Sequence, residues 1–176
     1  MSIKDPVDTL ILGTRGAGTT YALVQRVKEV GHGLIVCHKA SESMADFPKV
    51  KDVIEYEKLK KKNISVLELS QFDKEAGEEE LLSALEANIH CAIDNAHLLV
   101  TNREVINRLH NSIGIGTKTI CGDHRPRFTN MITEFKVVKF LRMDEVHSAK
   151  GLHSRTYDTT TFTFANFESN KVDLQS

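Results

Sequence analysis

The sequence predicts a three-layer α/β domain with a mainly parallel central sheet. Three observations carry that expectation. Short apolar runs alternate along the chain with segments of helical length, as strands and crossover helices do around a parallel sheet. The first run, Val7 to Leu12, leads directly into a glycine-rich octapeptide and then a helical stretch. Several later runs end in polar residues, at the strand ends where open α/β sheets hold their ligands. At 176 residues the chain is long enough to bury one substantial core. Residues 1–157 read as that domain and 158–176 as a C-terminal β arm or tail.

Asp8 to Leu12 is short, apolar and followed by glycine, which suits a strand buried on both faces. Gly13-Thr14-Arg15-Gly16-Ala17-Gly18-Thr19-Thr20 comes next, spaced as G-x-x-x-x-G-K-[ST] except that Thr19 stands at the lysine position. A loop of this kind cradles phosphate, because free backbone N–H groups and the following helix N-terminus both point at the anion. The helix runs from Gly18 to Val30 and stops at the glycine signal Gly31-His32-Gly33. Leu34 to Cys37 is a second buried strand, ending in the polar segment His38 to Ser43. From Met44 to Lys62 the chain is strongly charged. Val50, Val53 and Ile54 predict a solvated helix with a narrow apolar stripe. Lys58, Lys60, Lys61 and Lys62 fall at its C-terminal end, where the helix dipole favours cations.

Ile64 to Leu69 alternates as a strand, and Gly77-Glu78-Glu79-Glu80 opens a helix through Ala87 with acids at its positive end. His90 to Ile93 is apolar and ends in Asp94-Asn95-Ala96-His97. Asn102 to Ser112 reads as a helix closed by Gly114 and Gly116. Thr117 to Cys121 is a strand ending in Gly122-Asp123-His124-Arg125-Pro126-Arg127, and Phe135 to Leu141 is the last core strand. Arg142 to Arg155 reads as polar and irregular. Thr159 to Phe164 alternates threonine with aromatic residues, the pattern of an edge strand or hairpin arm and a surface for self-association. Ser169 to Ser176 reads as a frayed end.

The net charge of −1 exerts no global pull toward nucleic acid. Lys58 to Lys62, Arg125 and Arg127 keep nucleic acid among the candidate partners as local basic patches. No apolar run approaches the roughly 20 residues of a membrane span, and the N-terminus lacks the apolar region of a secretion signal. Both features lead us to expect a cytoplasmic protein. Cys37, Cys91 and Cys121 are sparse and odd in number, without a C-x-x-C pair. They argue against a disulfide framework and against zinc, and read as small buried hydrophobes. His38, His97 and His124 each follow a strand and are expected along one sheet edge, although no metal-ligand spacing links them.

Taken together, the order of parts resembles a P-loop NTPase from residue 7 to residue 141. Gly13 to Thr20 resembles a Walker A loop. Ala92-Ile93-Asp94-Asn95-Ala96-His97 resembles a Walker B strand of the D-E-A-H type with asparagine in place of glutamate. Thr119-Ile120-Cys121-Gly122-Asp123 resembles the following strand, whose polar end senses the γ-phosphate in helicase-like members. Arg15-Gly16-Ala17-Gly18 is similar to the R-G-S-G of phage terminase ATPases, in which a basic residue within the loop helps bind phosphate. Gly122-Asp123 is similar to the G-D-x-x-Q of superfamily-one helicases, with Arg127 at the glutamine position. The overall layout is also similar to thymidine kinase, without the zinc-binding cysteines that bacterial-type thymidine kinases carry after the position of Phe140.

This resemblance implies a nucleoside triphosphate and Mg2+ as cofactors. Gly13, Arg15, Gly16, Ala17, Gly18, Thr19 and Thr20 would cradle the phosphates, and Thr20 and Asp94 would hold the ion. Asp94, Asn95 and Arg15 are the implied catalytic positions. Two departures weaken the chemistry. The Walker lysine neutralises β- and γ-phosphate charge, and Thr19 carries none. The glutamate after the Walker B aspartate takes a proton from the attacking water, and Asn95 cannot. Each such loss is worth about 10²-fold or more. The expectation is therefore a degenerate P-loop protein that binds nucleotide or phosphate with little or no hydrolysis and acts through protein partners, self-association or nucleic acid. The competing expectation is an active nucleic-acid-dependent ATPase of helicase or terminase type, or a nucleoside kinase, with the planar fork of Arg15 replacing the lysine.

Overall fold

A computed structural model describes residues 6–13, 16–59, 63–123, 128, 130, 131, 134–147 and 153–163, with side chains as far as Leu141. Its centre is one seven-stranded sheet in the order β3-β2-β4-β5-β1-β6-β7. The strands are β1 Thr9–Gly13, β2 Gly33–Cys37, β3 Ile64–Glu68, β4 His90–Ile93, β5 Thr117–Gly122, β6 Val137–His147 and β7 His153–Thr163. β1 to β6 pair in parallel, and β7 closes the edge antiparallel to β6.

Each central strand buries both faces, which is why the runs read as continuously apolar and not alternating. Leu10 and Leu12 of β1 face one hydrophobic cluster and Ile11 the other. On the first face pack α2 (Val53–Lys58), α3 (Lys74–Glu86) and α5 (Arg103–Ser112), through Tyr56, Leu81, Leu85, Val105 and Leu109. On the second packs α1 (Thr19–Val30), through Leu23, Val24 and Val27. The expected three-layer α/β arrangement is present.

Several local expectations are revised. The apolar stripe of α2 is formed by Val53 and Tyr56, both buried, whereas Ile54 is 62% exposed. Spacing of i, i+3 places Val53 and Tyr56 on one face, and Ile54 lies beside it. Helix α3 starts at Lys74, not Gly77, because the Asp73 carboxylate accepts the Ala76 N–H at 2.9 Å and caps the helix a turn earlier. A one-turn helix, α4 (Ala96–Leu99), follows β4. The segment expected to be irregular, Arg142 to Arg155, contains the end of β6 and the start of β7, whose ladder runs from Val137↔Thr163 to His147↔His153. Polar composition does not stop a strand whose neighbour supplies its backbone hydrogen bonds, and at a sheet edge polar residues are the norm. The threonine-rich arm is accordingly the edge strand β7. Phe164 and Ser169 to Ser176 lie outside the described residues, as do Lys60, Lys61 and Lys62.

Candidate phosphate-binding site

Strand register brings the motif residues to one edge. Leu12 of β1 is level with Gly122 of β5, and Ile93 of β4 with Ile120. Gly13, Asp94 and Cys121-Gly122 therefore arrive together at the carboxyl ends of three adjacent strands, β5 lying between the loop strand and the aspartate strand.

The loop after β1 bends through Gly16 at φ 82° and Gly18 at φ 87°, left-handed conformations that glycine adopts without a Cβ penalty. Gly13 is needed for a different reason. A Cβ there would lie 2.6 Å from Thr19 Cγ2 and 3.2 Å from the Leu141 carbonyl oxygen, so strand and helix start could not approach this closely. Gly18 is the N-cap of α1 and supplies no side-chain cap, and the first turn of α1 carries no acid. The contrast with the neighbouring helices is informative. Asp52, Asp73 and Asn102 cap α2, α3 and α5 with their side chains, and each of those helices has a glutamate in its first turn. Only α1, among the described helices longer than one turn, has neither a side-chain cap nor an acid in its own first turn.

That helix end opens on a cavity of about 750 Å³. Gly13, Gly16, Gly18, Thr19 and Thr20 line one side, and Asn95, His97, Gly122 and Asp123 line the other. Beneath it, Asp94 is 3% exposed and its carboxylate receives three side-chain donors. Thr20 Oγ1 donates to Oδ1 at 2.7 Å, Cys121 Sγ donates to the same oxygen at 3.1 Å, and Asn95 Nδ2 donates to Oδ2 at 3.1 Å. Because an ionised carboxylate only accepts, the Asn95 amide must turn its nitrogen toward it. Asn95 has φ 48° and is the one non-glycine residue with positive φ among the described residues. Its backbone N–H donates to Cys121 Sγ at 3.3 Å.

Burial first, and then the Asp94 charge, push the Cys121 thiol well above its usual range, so it stays a neutral donor. Cys37 is pushed up to about 12 by burial, with Asp94 and Glu68 adding to the effect. Thr19, at the position of a phosphate-binding lysine, lines the cleft and carries no charge. An oxygen pair such as Thr20 and Asp94, with open space above it, fits a small hard cation that keeps phosphate and water as its other ligands. Among the described residues no three His, Cys, Asp or Glu side chains gather as a protein-only metal site.

The motif residues are thus brought together, apart from Arg15, which lies outside the described residues. Ala17 is buried behind the loop, 2% exposed. His97 lines the cleft, whereas His38 lines a separate cavity of about 530 Å³ with Leu69, Phe72 and Leu98. His124, Arg125 and Arg127 lie outside the described residues. Sequence reasoning saw Cys121 only as a buried hydrophobe. Its place opposite Asp94 depends on the register of β4 and β5.

By sequence the chain matches no protein-family model and no curated protein. By structure it is similar to the genome packaging NTPase B204 of Sulfolobus turreted icosahedral virus 2, solved with AMPPCP, at TM-score 0.50 and 12% identity, covering 82% of this chain and 78% of that one. It is also similar to the ATPase DotB of Legionella pneumophila, at TM-score 0.54 and 10% identity over 99% of this chain. DotB of Yersinia pseudotuberculosis gives TM-score 0.52 and 10% identity. The chain spans 50% and 47% of the length of these two DotB proteins. The likeness is one of fold: a three-layer, P-loop NTPase-like α/β arrangement.

Proposed function

We propose that this P-loop NTPase-fold chain binds the phosphates of a magnesium nucleoside triphosphate at the Gly13–Thr20 loop and hydrolyses it little or not at all. The observation that carries the reading is the 2.7 Å bond from Thr20 to Asp94 at the mouth of an uncapped helix N-terminus. That B204 shares the fold and was solved with AMPPCP adds support for a nucleotide as the ligand.

In this reading the N–H groups of the first turn of α1 and of the glycine loop hold phosphate oxygens. Thr20 and Asp94 hold the magnesium ion, which supplies charge neutralisation when bound. Thr19 adds no charge. Asn95 has its amide nitrogen on Asp94, which leaves the amide oxygen to accept from a water but no group that can take a proton. Binding without turnover then suits a protein that signals its nucleotide state to a protein partner, to a second copy through the β7 edge, or to nucleic acid. A second reading, an active ATPase or kinase, is favoured by the intact Thr20–Asp94 pair and needs Arg15 to supply the missing charge.

The two separate in one assay. With saturating magnesium ATP, GTP or deoxythymidine nucleotide, steady-state phosphate release is expected to be no faster than that of Asp94→Ala. Turnover clearly above that control, abolished by Arg15→Ala, would establish the second reading.

A further inference from the structure

Cys121 lies under the cleft, and phosphate binding by loop and helix gives it no task. Its sulfur nevertheless meets two residues of the site. It donates to Asp94 Oδ1 at 3.1 Å and accepts the Asn95 N–H at 3.3 Å. The residues at the magnesium and base positions are joined at one atom. Packing alone does not account for this. Alanine or valine would fill the same buried place in β5, yet would leave Asp94 Oδ1 with Thr20 alone and the Asn95 N–H without its acceptor.

The geometry points to Cys121 as a positioning residue of the magnesium–phosphate site: through its sulfur it sets the plane of the Asp94 carboxylate and holds the left-handed turn at Asn95. The inference rests on the cleft being a magnesium-nucleotide site. With the Thr20 oxygen given over to the ion, Cys121 on Oδ1 and Asn95 on Oδ2 are the two side-chain donors left to fix the carboxylate plane. Partners that orient a metal's carboxylate are worth roughly 10–100-fold in metal affinity. Serine keeps a donor and an acceptor at this place, whereas alanine keeps neither.

The test uses the full chain and reads ATP affinity with magnesium and with EDTA, giving a magnesium enhancement for each variant, alongside the thermal midpoint. In Cys121→Ala the enhancement should fall about tenfold or more, with the magnesium-free affinity unchanged. In Cys121→Ser it should stay within a few-fold of the parent. Should Cys121→Ala not fold, Cys121→Val, which refills the volume without a donor, carries the same expectation. An unchanged enhancement in the alanine or valine variant overturns the inference, as does an equal loss with and without magnesium, the signature of packing. A parent chain that binds ATP without any magnesium enhancement, or fails to bind it, overturns the magnesium-nucleotide reading itself and the inference with it.

Discussion

In the proposed reading, Thr19 decides how firmly the cleft holds a triphosphate. Its side chain carries no charge and its Cγ2 packs over Gly13, so the first turn of α1 offers phosphate only neutral donors. A charge-assisted hydrogen bond contributes about 1.5–3 kcal/mol. Thr19→Lys should therefore tighten magnesium ATP binding by about tenfold or more, measured by titration calorimetry against the parent. An unchanged affinity would mean that phosphate does not sit over residue 19. At this scale the glycines and Thr20 were legible because their spacing is local and each residue type has one conformational or chemical reason to be there. Cys121 was not. A cysteine that packs and a cysteine that orients a carboxylate look alike in sequence, and the partner that distinguishes them stands on another strand.

Helix ends and strand ends show what single elements contribute. The caps Asp73 and Asn102 are ordinary signals, yet the first was missed because Gly77, four residues later, and the three glutamates after it read as the helix start. Gly77 sits inside α3, and a Cβ there would meet nothing closer than 3.6 Å, so it breaks nothing. The opposite end of β4 carries His90, 3% exposed, with Nδ1 on the His32 carbonyl at 2.8 Å and Nε2 on the Thr119 hydroxyl at 2.9 Å. The carbonyl can only accept, so Nδ1 bears the proton and Nε2 accepts from Thr119. Burial lowers the His90 pKa to about 4, which favours the neutral ring in the folded state. Its contribution is then fully present above the unfolded value of about 6.5 and is lost as pH falls toward the folded one. Between those limits the unfolded chain binds more protons, and stability declines by about 1.4 kcal/mol per pH unit. Denaturant unfolding at pH 7 and pH 5 should show the parent losing about 2 kcal/mol more than His90→Gln. Equal losses would show that His90 is not held neutral.

Across the whole molecule, the parallel sheet turns remote stretches of chain into one site. Its class was legible from alternating apolar runs, because strands buried on both faces have no polar alternation to lose. Its strand order was not, because β1 lies between β5 and β6, strands formed by residues more than a hundred positions later, and local patterns carry no such information. The end of β6 and the start of β7 were missed for a related reason, since an edge ladder needs no apolar face. What the sheet assembles is an uncapped helix end, a glycine loop and a hydroxyl–carboxylate pair at a common edge. That convergence is the basis for proposing phosphate binding in the cleft. Titration calorimetry of the purified chain with ATP, in magnesium and in EDTA, tests it most directly when run beside Asp94→Ala. The account predicts saturable, magnesium-dependent binding that Asp94→Ala reduces to the EDTA level. Absence of binding by the parent, or binding that magnesium and Asp94→Ala leave unaltered, would contradict it.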